Sequence, residues 1–155
     1  MIHRIKALLL GSGHKQMAHA LGSEKERRTA VAALLVEAAL MDDCFDAGER
    51  AKIAELLKAR FDLSDAETEN LTETAGKRVA DSAQLFGFTR VVNEGFAQAE
   101  RVELMEMLWQ VVYADGRLDD YEANLMRRIS GLIHVSDRDS GEARKRALAR
   151  LGLEA

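Results

Sequence analysis

The sequence has no proline and only one cysteine, Cys44, among 155 residues. Strand-rich folds usually spend some proline on edges and turns, so its absence points to helices joined by short Asp, Gly and Ser turns. A single cysteine excludes an intramolecular disulfide and makes a reducing cytoplasm the simpler address. No apolar run approaches the roughly 20 residues that a membrane-spanning helix needs. The stretch Met1 to Leu10 resembles a signal peptide only superficially. Its apolar run, Ala7 to Leu10, is shorter than the roughly 7–15 residues such a segment requires, and Gly11 and Gly13 interrupt it at once. A short amphipathic helix and a flexible Gly11-Ser12-Gly13-His14 joint are expected there, so that 1–23 precedes a helical domain over 24–155.

Signatures of catalysis are equally scarce. No Glu-x-x-His pair is present, which argues against a di-iron carboxylate bundle. The Gly11–His14 joint lacks the strand and helix context of a phosphate loop. His3, His14 and His19 lie in or beside the N-terminal segment, and His134 ends a helix, where a surface role is the ordinary one. Cys44 sits among carboxylates that would raise its pKa and suppress a reactive thiolate. A non-enzymatic protein is expected.

What is present suits one compact soluble domain: 47% hydrophobic and 31% charged residues in 17.2 kDa. The net charge of −4 conceals an asymmetry, because from Glu37 to Glu73 eleven acids face four bases, a local charge of −7. Such a field attracts cations or basic partners and repels nucleic acid, which is excluded as a ligand. The basic stretch Arg144 to Arg150 is read as serving a helix C-terminus.

The strongest pattern is a repeat. Asp42, Asp46 and Glu49 return as Asp115, Asp119 and Glu122, with Phe45 and Leu118 as the apolar residue between. Leu35 to Leu40 match Leu108 to Tyr113 at an offset of 73. Ile53, Leu57, Phe61, Leu63, Ser64 and Asp65 match Leu125, Ile129, Ile133, Val135, Ser136 and Asp137 at 72. A supersecondary unit used twice is the implied architecture.

Apolar residues recur at helical spacing throughout. One stripe runs from Val31 to Met41, on a helix from about Glu24; a second, from Ile53 to Phe61, opens at Asp46. Ser64 and Glu67 form a capping box for a helix carrying Leu71, Ala75 and Val79. Phe86, Phe88, Val91, Val92 and Phe96 belong to the next, with Gly95 tolerated or marking its end. Val102, Met105, Leu108, Trp109 and Val112 stripe a helix ending near Ala114. Leu125, Ile129, Leu132 and Ile133 follow on a helix opening at Asp119, and Ser136 caps the last. The fold class is therefore all-α: two helix–turn–helix units, about 24–61 and 99–133, forming a pseudo-twofold four-helix core with flanking helices. Trp109, Met105 and Met107 are read as core, the ordinary role of an aromatic and Met stripe at helical spacing; Met107 falls off the main stripe and is the better candidate of the three for an exposed contact.

The doubled carboxylates admit two readings. Hard cations of the Ca²⁺ or Mg²⁺ class take oxygen ligands, and a tight turn can assemble them from Asp42, Asp46 and Glu49 and from Asp115, Asp119 and Glu122. Glu37, about one helical turn before Asp42, is an accessory in the first copy; Gln110 replaces it in the second. The loop is not an EF-hand, because the twelfth position from each first Asp is Ile53 or Met126. The competing reading is capping: Asp46-x-x-Glu49 and Asp119-x-x-Glu122 are both capping boxes. Residue types alone favour capping, and a helix N-terminus opposes a cation. Asp42 and Asp115 have no capping duty and carry the discrimination.

Ala33 to Ala39, the Asp42–Glu49 turn, Leu63-Ser64, Leu85 to Arg90, Leu108 to Gly116 and Glu122 together resemble the TerB-like (tellurite-resistance protein B) family over about residues 24–139. The resemblance implies an all-helical fold built on an internal duplication, with clustered acidic residues that bind a metal ion. It also implies a role in tellurite or other stress resistance through complexes near the membrane. The chain departs from that pattern at Asp43, which stands where Gly is usual and makes the left-handed turn harder. The second turn, with Gly116, is thus the better site. The reading favoured is a cation-binding TerB-like domain. Its rival is a metal-free scaffold that contacts another protein or a second copy of the chain.

Overall fold

The computed structural model describes residues 24–40, 47–81, 85–114, 118 and 120–153. The expected N-terminal helix and joint, both acidic turns and Cys44 lie outside these residues. The described part is all-α: among the described residues there are seven helices and no strand. They are α1 (24–40), α2 (Ala47–Phe61), α3 (Asp65–Asp81), α4 (Leu85–Gly95), α5 (Gln98–Val112), α6 (Asp120–Leu132) and α7 (Asp137–Arg150). No described helix is long and apolar enough to cross a membrane.

At the centre is α5, buried without interruption from Leu104 to Val112. A helix buried on every side must be surrounded by others, and α2, α6 and α7 pack on it. From α1 come Leu34 and Leu35, from α2 Ile53 and Leu57, and from α6 Met126 and Ile129, all at 0–1% exposure. Met107 belongs to this interior too, at 8% exposure. It falls off the main stripe, but α5 is enclosed around its circumference from Leu104 to Val112, so a position off the stripe is buried with the rest. Trp109 is core as expected. Phe86, in contrast, is 63% exposed, because only Leu85, Phe88, Thr89 and Val92 of α4 turn inward.

The last helix is more than a flank. It has the most extensive contact with α5 and sends Ala143, Ala147 and Leu148 into the core. Trp109 Nε1 donates to Ser140 Oγ at 3.2 Å, and Arg144 Nε donates to Tyr113 Oη at 2.8 Å. Arg144 also lies over the Trp109 and Tyr113 rings, a favourable cation–π placement. Arg150 Nε donates to Glu106 at 2.9 Å, with Arg146 at 3.8 Å. The basic tail thus fastens α7 to α5.

Local geometry follows the sequence repeat beyond the acidic turns. Asp62 and His134, 72 residues apart, both take left-handed backbone, with φ of 53° and 59°. In each case the next amide reaches back five residues: Leu63 N–H to the Lys58 carbonyl at 3.1 Å, Val135 N–H to the Ser130 carbonyl at 2.9 Å. This is the Schellman closure of a helix C-terminus. Ser64 then caps α3 by accepting from Glu67 N–H, and Ser136 caps α7 by accepting from Asp139 N–H, both at 3.1 Å.

A non-glycine residue in the left-handed region costs about 1–2 kcal/mol, of which glycine's backbone entropy returns part. His134→Gly and Asp62→Gly are therefore each expected to stabilise by about 0.5–1 kcal/mol, a rise of roughly 1–4 °C in Tm. A lower melting temperature in both variants would show that the side chains matter more than the backbone. At Gly95, the last residue of α4, the reason for glycine is close approach: a Cβ would collide with Arg27 Cδ and Cγ, and Arg27 Nη1 donates to the Gly95 carbonyl at 3.0 Å.

Candidate functional site

Glu49 is the third residue of α2 and Glu122 the third of α6, the position from which a glutamate can reach back to an N-cap amide. Their expected N-caps, Asp46 and Asp119, lie outside the described residues, as do Asp42 and Asp115. The two glutamates are unusually enclosed for charged groups, at 5% and 3% exposure. Neither is without a partner.

Two other helix starts show what capping alone looks like in this chain. Ser64 N–H donates to Glu67 at 3.1 Å and Glu67 N–H to Ser64 Oγ at the same distance, completing the expected box. Ala97 N–H donates to Glu100 at 3.0 Å, half a box, since alanine has no acceptor to return. Glu67 is exposed and Glu100 half-buried. Both carboxyls sit below the usual carboxylate range: Glu67 through its bonds to Ser64, Glu100 chiefly through the Ala97 amide. A capping glutamate thus needs no burial. Glu49 and Glu122 have it nonetheless.

Glu37, on α1, is half-buried. Desolvation raises its pKa, and the Arg128 charge on α6 offsets part of the rise. The sign of the consequence is opposite to that of a salt-bridged acid. A carboxyl whose folded pKa lies above its ordinary 4.5 favours the fold most when protonated in both states. Stability is lost as pH rises from about that value through the folded pKa. In chelated protein, Glu37→Gln is therefore expected to raise the melting temperature by a few degrees at pH 7 and leave it unchanged near pH 3. Equal effects at both pH values would contradict the assignment. In the second copy the equivalent Gln110 is buried at 7% exposure, and needs no such charge compensation.

The donor chemistry suits a hard divalent cation, since each described turn flank offers a buried carboxylate. Among the described residues no group of three or more His, Cys, Asp or Glu side chains is placed to hold a metal. Glu37, Glu49 and Glu122 therefore do not form a site by themselves. Two further carboxylate clusters, unmarked by any sequence motif, are structural: Glu106 with Arg146 and Arg150, and Glu100 and Glu103 with Arg60.

A wholly helical domain whose two matched helix starts each enclose a glutamate is the class of protein to which the sequence resemblance pointed. The chain belongs to the tellurite resistance protein TerB family, whose model matches residues 28–145. That span runs from the second turn of α1 into α7, and so takes in both acidic turns. Comparison with curated proteins and with solved structures gives no match.

Proposed function

We propose that this TerB-family domain is a non-enzymatic, cytoplasmic module that binds a divalent cation of the Ca²⁺ or Mg²⁺ class through its acidic turns. Asp42, Asp46 and Glu49 would supply the first site, with Glu37 as accessory, and Asp115, Asp119 and Glu122 the second. The observation that carries the reading is the burial of Glu49 and Glu122 against the exposed or half-buried capping glutamates of α3 and α5. Enclosing a carboxylate costs free energy unless it is compensated, and a bound cation is a strong source of that compensation. Within the family's tellurite-resistance context, such a domain would engage a protein partner, or a second copy, in a complex near the membrane.

The rival reading is a metal-free scaffold. It is favoured by the position of both glutamates as third residues of their helices, where capping is their ordinary work. Melting curves decide between them. Ca²⁺, Mg²⁺, Mn²⁺ and Zn²⁺ should be titrated, with chelator controls, into the parent, Asp42→Asn and Asp115→Asn. A saturable rise in the parent that is lost in the variants supports the cation reading. No shift with any ion, and variants identical to the parent, would leave the scaffold.

A further inference from the structure

A groove of about 820 Å³ lies between α2 and α3. Ala47, Ala51 and Ala54 line one wall, and Thr68 and Thr72 the other. The threonine hydroxyls are already spent within α3: Thr68 Oγ1 donates to the Ser64 carbonyl and Thr72 Oγ1 to the Thr68 carbonyl, each at 2.8 Å. What they leave to the groove is methyl surface. The rim carries Glu55, Asp65, Glu69 and Glu73 against Arg50 and Lys58; Lys58 is paired with Asp65 and Lys52 with Glu55, so Glu69 and Glu73 give the rim its acidic character. Small walls and an acidic rim fit a helix that brings large aliphatic side chains on one face and bases on the other.

The chain carries such a sequence itself. Ile2, Ile5 and Leu9 recur at helical spacing, with Arg4 and Lys6 beside them, and residues 1–23 contain three bases (Arg4, Lys6 and Lys15) and no acid. The tether is adequate. Glu24 borders a smaller cleft lined by Leu63, Glu67 and Leu71, which puts the start of α1 alongside α3. The fourteen residues from Leu10 to Glu24 span up to about 46 Å when extended, while the 17 residues of α3 occupy only about 25 Å.

We propose that the α2–α3 groove is the docking site of the chain's own N-terminal arm, residues 1–10, laid in as an amphipathic helix with its bases over the acidic rim. The groove begins at Ala47, directly after the first acidic turn, so a docked arm would lie beside that turn. The proposal stands whether or not the turn binds a cation.

Hydrogen–deuterium exchange on the full chain tests it, read on the peptide covering residues 1–10. In the parent, the amides from Ile5 to Leu10 are expected to exchange at least tenfold more slowly than an unstructured peptide, independently of protein concentration. Ile5→Asp and the rim double variant Glu69→Lys/Glu73→Lys should each abolish most of that protection. Both rim positions are exposed, and unchanged melting of the double variant confirms that its fold is kept. Three results would overturn the proposal: free exchange in the parent, protection insensitive to the rim variant, or protection that grows with concentration and so reports a second copy. Protection appearing only on anionic lipid vesicles would assign the arm to a membrane surface instead.

Discussion

Leu108→Ala is expected to destabilise the protein by about 3–5 kcal/mol, the upper part of the range for buried leucine truncations. The size follows from position. Leu108 is fully buried at the middle of the enclosed stretch of α5, Leu104 to Val112, with its neighbours held in place. Trp109 is bonded to Ser140, and Tyr113 to Arg144. Walls fixed by such contacts collapse little into a cavity, so the lost contacts are not recovered. For a chain of this length the fall in Tm is roughly 6–20 °C. Phe86→Ala removes a larger side chain that is mostly in water and should change stability by no more than about 0.5–1 kcal/mol. Comparable losses in the two variants would refute a core centred on α5.

Glu122→Gln should separate cation binding from capping. Glutamine keeps the shape and can still accept from an N-cap amide, so the chelated variant should melt within a degree or two of the parent. With cation at 100 times the parent's Kd, the parent gains about 2.7 kcal/mol by mass action, or roughly 5–11 °C. A variant binding 100-fold more weakly gains only about 0.4 kcal/mol. Glu49→Gln should behave likewise at the first site, and Glu67→Gln, on an exposed capping box, should keep the full cation response. Should all three respond like the parent, the buried glutamates are not ligands.

Much of the fold was legible because its signals are local. The Ser64–Glu67 box and the Ser136 cap need only a few residues and a backbone, and both form as expected. The expected helix starts at Glu24 and Asp46 lie within one residue of those of α1 and α2, whereas α4 opens one residue before its first stripe residue, Phe86, and α5 four before Val102. What a stripe does not convey is how many neighbours a helix acquires. Met107 falls off the main stripe of α5 and is buried all the same, and Phe86 lies in an apolar stripe yet is exposed because α4 meets the core along a narrow strip. Thr68 and Thr72 look polar in sequence, yet each hydroxyl is satisfied one turn back along α3, leaving side chains that bury as easily as valine.

The candidate site was legible in a different sense. Spacing alone singled out Glu49 and Glu122, but burial, which distinguishes them from Glu67 and Glu100, is a tertiary property with no sequence signature. The same holds for Glu37: burial raises its pKa, and the charge that offsets part of the rise, Arg128, stands ninety-one positions along the chain. Asp62 and His134 illustrate the reverse case. Their left-handed turns follow the 72-residue repeat, yet neither residue type announces such a turn as glycine would.

Calorimetric titration of the chelated protein with Ca²⁺ and Mg²⁺, in the parent and in Asp115→Asn, tests the cation reading most directly. Asp115 is the residue of the stronger turn that capping does not require. The parent should show saturable binding, and Asp115→Asn should lose the tighter class of sites while keeping its helical content. Heats no larger than dilution, or the same isotherm in both proteins, would contradict the account.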